Sequence, residues 1–251
     1  AIVRSREIHR PAHALRFTEE IDKRIRARFP FTLTGAQDRA VQEIMQDLRL
    51  PRPMNRLVQG DVGAGKTVVA LYAALIAVAN HKQVAIMAPT EILATQHYRK
   101  ICQYLDGSQV NTRLLVGGQK SSLRNRTLAE LAEGEVYIVV GTHALLSEMV
   151  KFRDLALVIV DEQHKFGVQQ RTGLRGKGYA PHYLVMTATP IPRTLALTVF
   201  GDLDVSTIDE LPPGRGKTET RLVKQKELPK LIDFTAKQLA EGQQAYFIYP
   251  L

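Results

Sequence analysis

The 251 residues are enough to bury a sizeable core and, at about 150 residues per domain, allow one or two domains. Thirty-four Lys and Arg against 25 Asp and Glu leave a formal charge of +9, which favours a polyanionic partner; the single cysteine, Cys102, excludes a disulfide framework or a cysteine zinc cluster and fits a reducing compartment. The longest apolar run, Val68 to Ala79, falls short of the roughly 18 to 20 residues of a membrane span, and no leader-like start precedes it, so a cytoplasmic protein with no membrane partner is expected.

The chain begins with "RSREIHRPAHALRFTEEIDKRIRARFP" (4–30), which is charged and outside any strand pattern; a solvated connecting helix is expected over 1–30. His9 and His13 have metal-like spacing, but Pro11 intervenes and no third ligand stands near, so zinc is not expected. From residue 56 onward, short apolar runs alternate with helical patterns: "RLVQ" (56–59), "QVAIMA" (83–88), "TRLLV" (112–116), "VYIVV" (136–140), "LALVIV" (155–160) and "HYLVM" (182–186). Continuous apolar strands separated by helices predict a parallel sheet covered on both faces, the doubly wound α/β class, over 31–210. At "LPPGRGKT" (211–218) paired prolines and glycines predict a linker. Residues 219–251 read as strand, helix (about 227–241) and strand, too small a piece to bury a core of its own. The chain opens at Ala1 and stops at "AYFIYPL" in strand-like text, so it is expected to be part of something longer.

Two constellations carry chemistry. Between "RLVQ" and the helical run from Val68, the stretch Gly60-Asp61-Val62-Gly63-Ala64-Gly65-Lys66-Thr67 matches a P-loop. Its glycines let backbone N–H groups curl round a phosphate, and the following helix adds the positive end of its dipole. Lys66 would neutralise the β and γ phosphates and Thr67 would ligate Mg²⁺. Further on, the strand "LALVIV" delivers Asp161 and Glu162 to its C-terminal end, the edge where open α/β sheets hold ligands. Asp161 is placed to hold the magnesium's water shell and Glu162 to polarise an attacking water; the bland alternative is two carboxylates capping the next helix. No Asn-Lys-x-Asp stretch occurs, which weighs against a GTPase. With no tryptophan and 6% aromatics, the composition suits a protein that tracks the phosphate backbone better than a base-stacking platform. Arg215, Lys217, Arg221 and Lys224 in "GRGKTETRLVK" are more simply a solvated linker than phosphate contacts.

Six stretches, in order, resemble the superfamily 2 DNA helicases and translocases: "FTLTGAQ", "GDVGAGKT", "MAPTEILATQH", "VVGTHAL", "VDEQH" and "MTATPIPRTLAL". "PRPMNRLVQGDVGAGKT" and "FGDLDVSTIDELPPGR" are most similar to its branch that remodels stalled forks and Holliday junctions, although transcription-repair translocases share much of the pattern. The resemblance implies a RecA-like P-loop domain, followed by the truncated start of a second, and an ATP- and Mg²⁺-dependent motor that acts as a monomer on branched duplex DNA in a bacterial cytoplasm. It implies impaired turnover for the chain alone, or a nucleotide-gated binding module. Residue by residue, it implies that Gln37 contacts the adenine edge with Phe29 or Phe31 beside the base, and that His164 couples the nucleotide to Thr187 and Thr189. It also places Pro89, Thr90, Gly117, Gly118, Gly141, Thr142 and His143 on the DNA backbone.

Overall fold

The structure, a computed structural model, describes residues 11–161, 180–188, 203–212 and 219–248. The chain divides into two compact units, 1–213 and 214–251. Seven strands of the first unit form one sheet: β1 (Asn55–Gly60), β2 (Gln83–Met87), β3 (Thr112–Leu115), β4 (Ile138–Gly141), β5 (Leu155–Asp161), β6 (His182–Thr187) and β7 (Asp204–Ile208). All are parallel, in the order β3-β4-β2-β5-β6-β1-β7, so all seven C-terminal ends lie along one edge. Successive strand residues face opposite sides, and the two cores separate accordingly. Val84, Ile86, Ile138, Val140, Leu157 and Ile159 bury into one; Ala85, Met87, Val139, Val158 and Val160 bury into the other. This two-sided burial is why these strands read as unbroken apolar runs.

The first core is covered by α2 (Gly35–Leu48), α3 (Lys66–Ala79) and α4 (Glu91–Tyr104), while α5 (Ser121–Glu133) sends Leu131 into the second. Helix α3 is buried along most of its length, Val68 to Ala77, because it runs over the centre of the sheet.

Two expectations need correction. Over residues 11–30 the N-terminal segment forms a helix, α1 (Glu19–Arg26), but is not merely solvated: Leu15, Ile25 and Phe29 bury into the main core. Each such side chain contributes about 1.5–3 kcal/mol. Arg26 pairs with Asp22 and Asp38, and the Tyr72 hydroxyl also meets Asp22, so α1, α2 and α3 share one polar cluster. The apolar residues were hidden because they stand singly among charges. In the second unit, α6 (Leu228–Ala240) forms as expected, but 219–224 and 243–248 are not strands. A strand needs a neighbour's hydrogen-bond ladder, and the unit's described residues supply none.

His182, fully buried at the start of β6, accepts a hydrogen bond at Nδ1 from the Met54 N–H (3.0 Å) and donates from Nε2 to the His13 carbonyl (2.7 Å). A proton on Nδ1 would break the first bond, and burial holds the imidazole below its ordinary value of 6.5. His13 is lowered in the same sense by burial, its Asp154 partner notwithstanding. The neutral form is the folded form, so this contribution to stability is complete above the unfolded-state value and is lost as pH falls below it. Chemical denaturation at pH 7.5 and 5.5 should show a lower midpoint at 5.5, and His182→Gln, which takes no proton there, should flatten the difference. An unchanged slope in that variant would assign it elsewhere.

Candidate functional site

The phosphate loop is built where β1 turns into α3. Gly63 and Gly65 both take positive φ (83° and 87°), the left-handed region that a side chain disfavours. A Cβ on Gly60 would stand 2.7 Å from the Ile208 backbone carbonyl oxygen on β7, and one on Gly65 would stand 2.2 Å from the Gln37 Nε2 and displace that amide. The Lys66 ammonium folds back over the loop, donating to the Gly60 (2.7 Å) and Asp61 (2.9 Å) carbonyls. The amine thus lies over the cradle that Gly60–Thr67 encloses, with Asp61, Val62 and Gly63 exposed at its rim and Ala64 buried under it. Thr67 is half-buried in the first turn of α3.

Gln37 is buried and joins this loop to α2. Its Nε2 donates to the Ala64 carbonyl (2.8 Å), its Oε1 accepts from the Thr34 N–H (3.0 Å), and the Thr34 hydroxyl accepts the Gln37 N–H in return, a reciprocal cap. The structure therefore places Gln37 against the phosphate loop itself. Of the two candidate aromatics, Phe29 is buried in the core, whereas Phe31 is 44% exposed and stacks on Phe29 with ring centroids 5.9 Å apart. Phe31, Pro30 and Arg26 line an open hollow at this corner. Gly65→Ala is expected to cost both the loop's φ and the Gln37–Ala64 contact, weakening nucleotide binding while leaving the sheet folded. Nucleotide titration with a melting curve checks it.

Strand order sorts the remaining residues. Strands β5, β6 and β1 are neighbours, and at their ends stand Asp161, Thr187 and the phosphate loop; Thr187 is fully buried and in register with Gln59 of β1. Strands β3, β4 and β2 form the other side, and at their ends stand Gly117 and Gly118, then Gly141, Thr142 and His143, then Pro89 and Thr90. Thr90, Gly117, Gly118 and His143 are exposed. Gly141 and Thr142 are buried, and a Cβ on Gly141 would stand 2.2 Å from the Leu115 carbonyl, so that glycine serves close strand packing. Glu162, His164 and Thr189 lie outside the described residues, as do Arg215 and Lys217. Arg221 pairs with Glu219 on the second unit (2.7 Å).

Sequence reading missed three contributors. His97 on α4 bonds Asp161 through Nε2 to Oδ2 at 2.7 Å, 64 residues apart in the chain. Arg56, buried on β1, bonds Glu43 and Asp47 of α2 and the Ser206 hydroxyl of β7, fixing the strand that carries the loop. Glu210, just past β7, accepts the Ala36 N–H at the start of α2 (3.0 Å).

A parallel sheet with a glycine-rich loop between β1 and α3 and a carboxylate at the end of β5 is the arrangement of a P-loop nucleotide-binding domain. The chain belongs to the DEAD/DEAH box helicase family, whose pattern it matches over residues 34–198. It is similar to the ATP-dependent DNA helicases RecG of Synechocystis sp. (54% identical, covering 88% of this chain and 27% of the relative) and Bacillus subtilis (50%, covering 94% and 35%). A solved structure of RecG bound to a three-way DNA junction superimposes with a TM-score of 0.88 at 41% identity, over 100% of this chain and 34% of that one. The chain thus spans about a third of the length of the relatives it matches. Among the described residues no helix is long and apolar enough to cross a membrane.

Proposed function

We propose that this chain is the ATP-binding half of a motor that remodels branched duplex DNA, forks and junctions, in the manner its RecG relatives' name implies. The observation that supports it most is the division of one sheet edge into a phosphate-loop side (β5-β6-β1) and a side of exposed loops (β3-β4-β2), which lets one rigid domain face a nucleotide and a nucleic acid at once. Relatives 48–54% identical carry the RecG name, which favours junction remodelling over transcription-coupled repair.

In this reading Lys66 balances phosphate charge, Gly60 to Gly65 present backbone N–H groups, and Phe31 flanks the base, with Gln37 holding the loop in place and reaching the adenine edge. Thr67 and Asp161 would hold Mg²⁺, a cation content with one hydroxyl, one carboxylate, waters and phosphate oxygens, as this donor set offers. When bound, the ion offsets negative charge on the phosphates. Glu162 orients and deprotonates the attacking water, and His164, Thr187 and Thr189 relay the outcome across the sheet edge. Thr90, Gly117, Gly118 and His143 contact the DNA backbone, with Pro89, Gly141 and Thr142 shaping the loops that carry them. The protein works as a monomer in a bacterial cytoplasm, at the nucleoid.

The test is the steady-state ATPase of the full-length protein with a three-way junction, a fork and linear duplex. Strong stimulation by the branched substrates, falling as salt rises because the grip is on phosphates, is expected. No turnover with or without DNA would leave only a nucleotide-gated binding module, and substantial turnover that no DNA stimulates would refute the motor reading.

A further inference from the structure

Helix α4 packs over β4 and β3, on the exposed-loop side, yet sends one side chain to the strand that borders the other side. It starts after β2, whose neighbour in the sheet is β5, the strand that ends at Asp161. Its first turn is built into the exposed-loop side: Thr90 caps it by accepting the Leu93 N–H (3.2 Å), and the Glu91 carboxylate accepts the Gly117 N–H (2.9 Å), tying the loop after β2 to the loop after β3. From there Ala94, His97 and Ile101 recur at helical spacing on one face. Ala94 and Ile101 are buried in the main core, so His97 is a polar residue at a core-facing position. Its Nε2 meets Asp161 Oδ2 at 2.7 Å, with both side chains only 14% exposed.

A packed helix moves as a unit. Six residues at 1.5 Å rise put His97 about 9 Å along the axis from Glu91, so a shift of the Thr90–Glu91–Gly117 corner reaches Asp161 without intervening flexible chain. With one oxygen engaged by His97, the Asp161 carboxylate is restrained in rotation at the end of β5. An outer hydrogen bond of this kind commonly orients a metal-holding carboxylate.

We propose that His97 is a positioning residue for Asp161, and that α4 carries the state of the Thr90–Glu91–Gly117 corner, free or on DNA, to the Mg²⁺ side of the nucleotide site. This rests on the functional reading above. Coupling of this kind is reciprocal: if DNA at one end alters Asp161, then DNA must change the Mg²⁺ dependence of nucleotide binding.

The experiment measures binding of a fluorescent, non-hydrolysable ATP analogue to the full-length protein across a Mg²⁺ titration, with and without a three-way junction. In the parent protein the junction should lower the Mg²⁺ needed for half-saturation by about fivefold or more, the lower end of ordinary allosteric coupling. His97→Ala should need more Mg²⁺ and show no junction-dependent shift, while His97→Gln, which can still offer Asp161 an N–H, should retain most of it. Should the alanine variant fold poorly by circular dichroism, His97→Phe takes its place, since it fills the space but makes no bond. A full shift in His97→Ala or His97→Phe overturns the proposal, as does a glutamine variant as defective as they are, or a parent protein whose Mg²⁺ dependence ignores the junction. A parent protein that binds no analogue or no junction in these same titrations instead refutes the motor reading beneath it.

Discussion

Lys66→Ala is expected to abolish Mg²⁺-ATP binding while leaving the fold intact. The lysine's ammonium lies over the phosphate cradle on the Gly60 and Asp61 carbonyls, and its loss removes charge-assisted contacts worth about 1.5–3 kcal/mol each, or roughly a hundredfold or more in Kd when two phosphate groups are involved. The surrounding core does not depend on it, because the buried stretch of α3 begins at Val68 and the loop's shape comes from Gly63, Gly65 and the Gln37–Ala64 bond. Fluorescent-nucleotide titration together with thermal unfolding separates the two effects. An affinity within about threefold of the parent would remove the phosphate-loop assignment, and a collapsed melting curve would make Lys66 structural.

Glu162→Gln should behave in the opposite way, keeping nucleotide affinity and losing turnover by about 10² to 10⁴, the usual worth of a positioned base. The residue follows Asp161 directly, and Asp161 ends a strand buried on both faces, on the same sheet edge as the Gly60–Thr67 loop. The amide is nearly isosteric but accepts no proton from water. Single-turnover hydrolysis beside equilibrium binding is the measurement; turnover at the parental rate would show that another group orients the water.

Much of the site was legible because it is local. Glycines at fixed offsets followed by Lys-Thr describe a backbone path, and the path formed with Gly63 and Gly65 at positive φ. Five of the six strands legible in the sequence are central and buried on both faces; the sixth, β3, stands at the other edge and showed through the apolar run of "TRLLV". Strand β7 was not legible: "DVSTI" lies at the sheet's edge and buries only Ser206 and Ile208 fully, so its pattern alternates and looks like loop. The packing of Leu15, Ile25 and Phe29 was hidden by surrounding charge, and strands expected around α6 presupposed partners that its unit's described residues do not contain. The His97–Asp161 bond and the Arg56 clasp to Glu43, Asp47 and Ser206 join residues distant in the chain. No periodicity announces such contacts; they follow from strand order, which the text of a single chain does not spell out.

That strand order also sets a timetable for synthesis. The phosphate-loop strand β1 is flanked by β6 and β7, and Asn55 pairs with Tyr183, 128 positions later, while Arg56 pairs with Asp204. Contacts this far apart form late, because the intervening chain must first exist and then close a long loop. At about 5–20 residues per second, a ribosome leaves β1 without either neighbour for roughly 6–25 seconds after making it. Strands β2, β3 and β4 complete their mutual pairing sooner, since β4 ends at Gly141. The emerging polypeptide therefore assembles its exposed-loop side first and acquires a rigid nucleotide pocket last, and until then the apolar strand Leu57–Val58 is a segment for chaperones to shield.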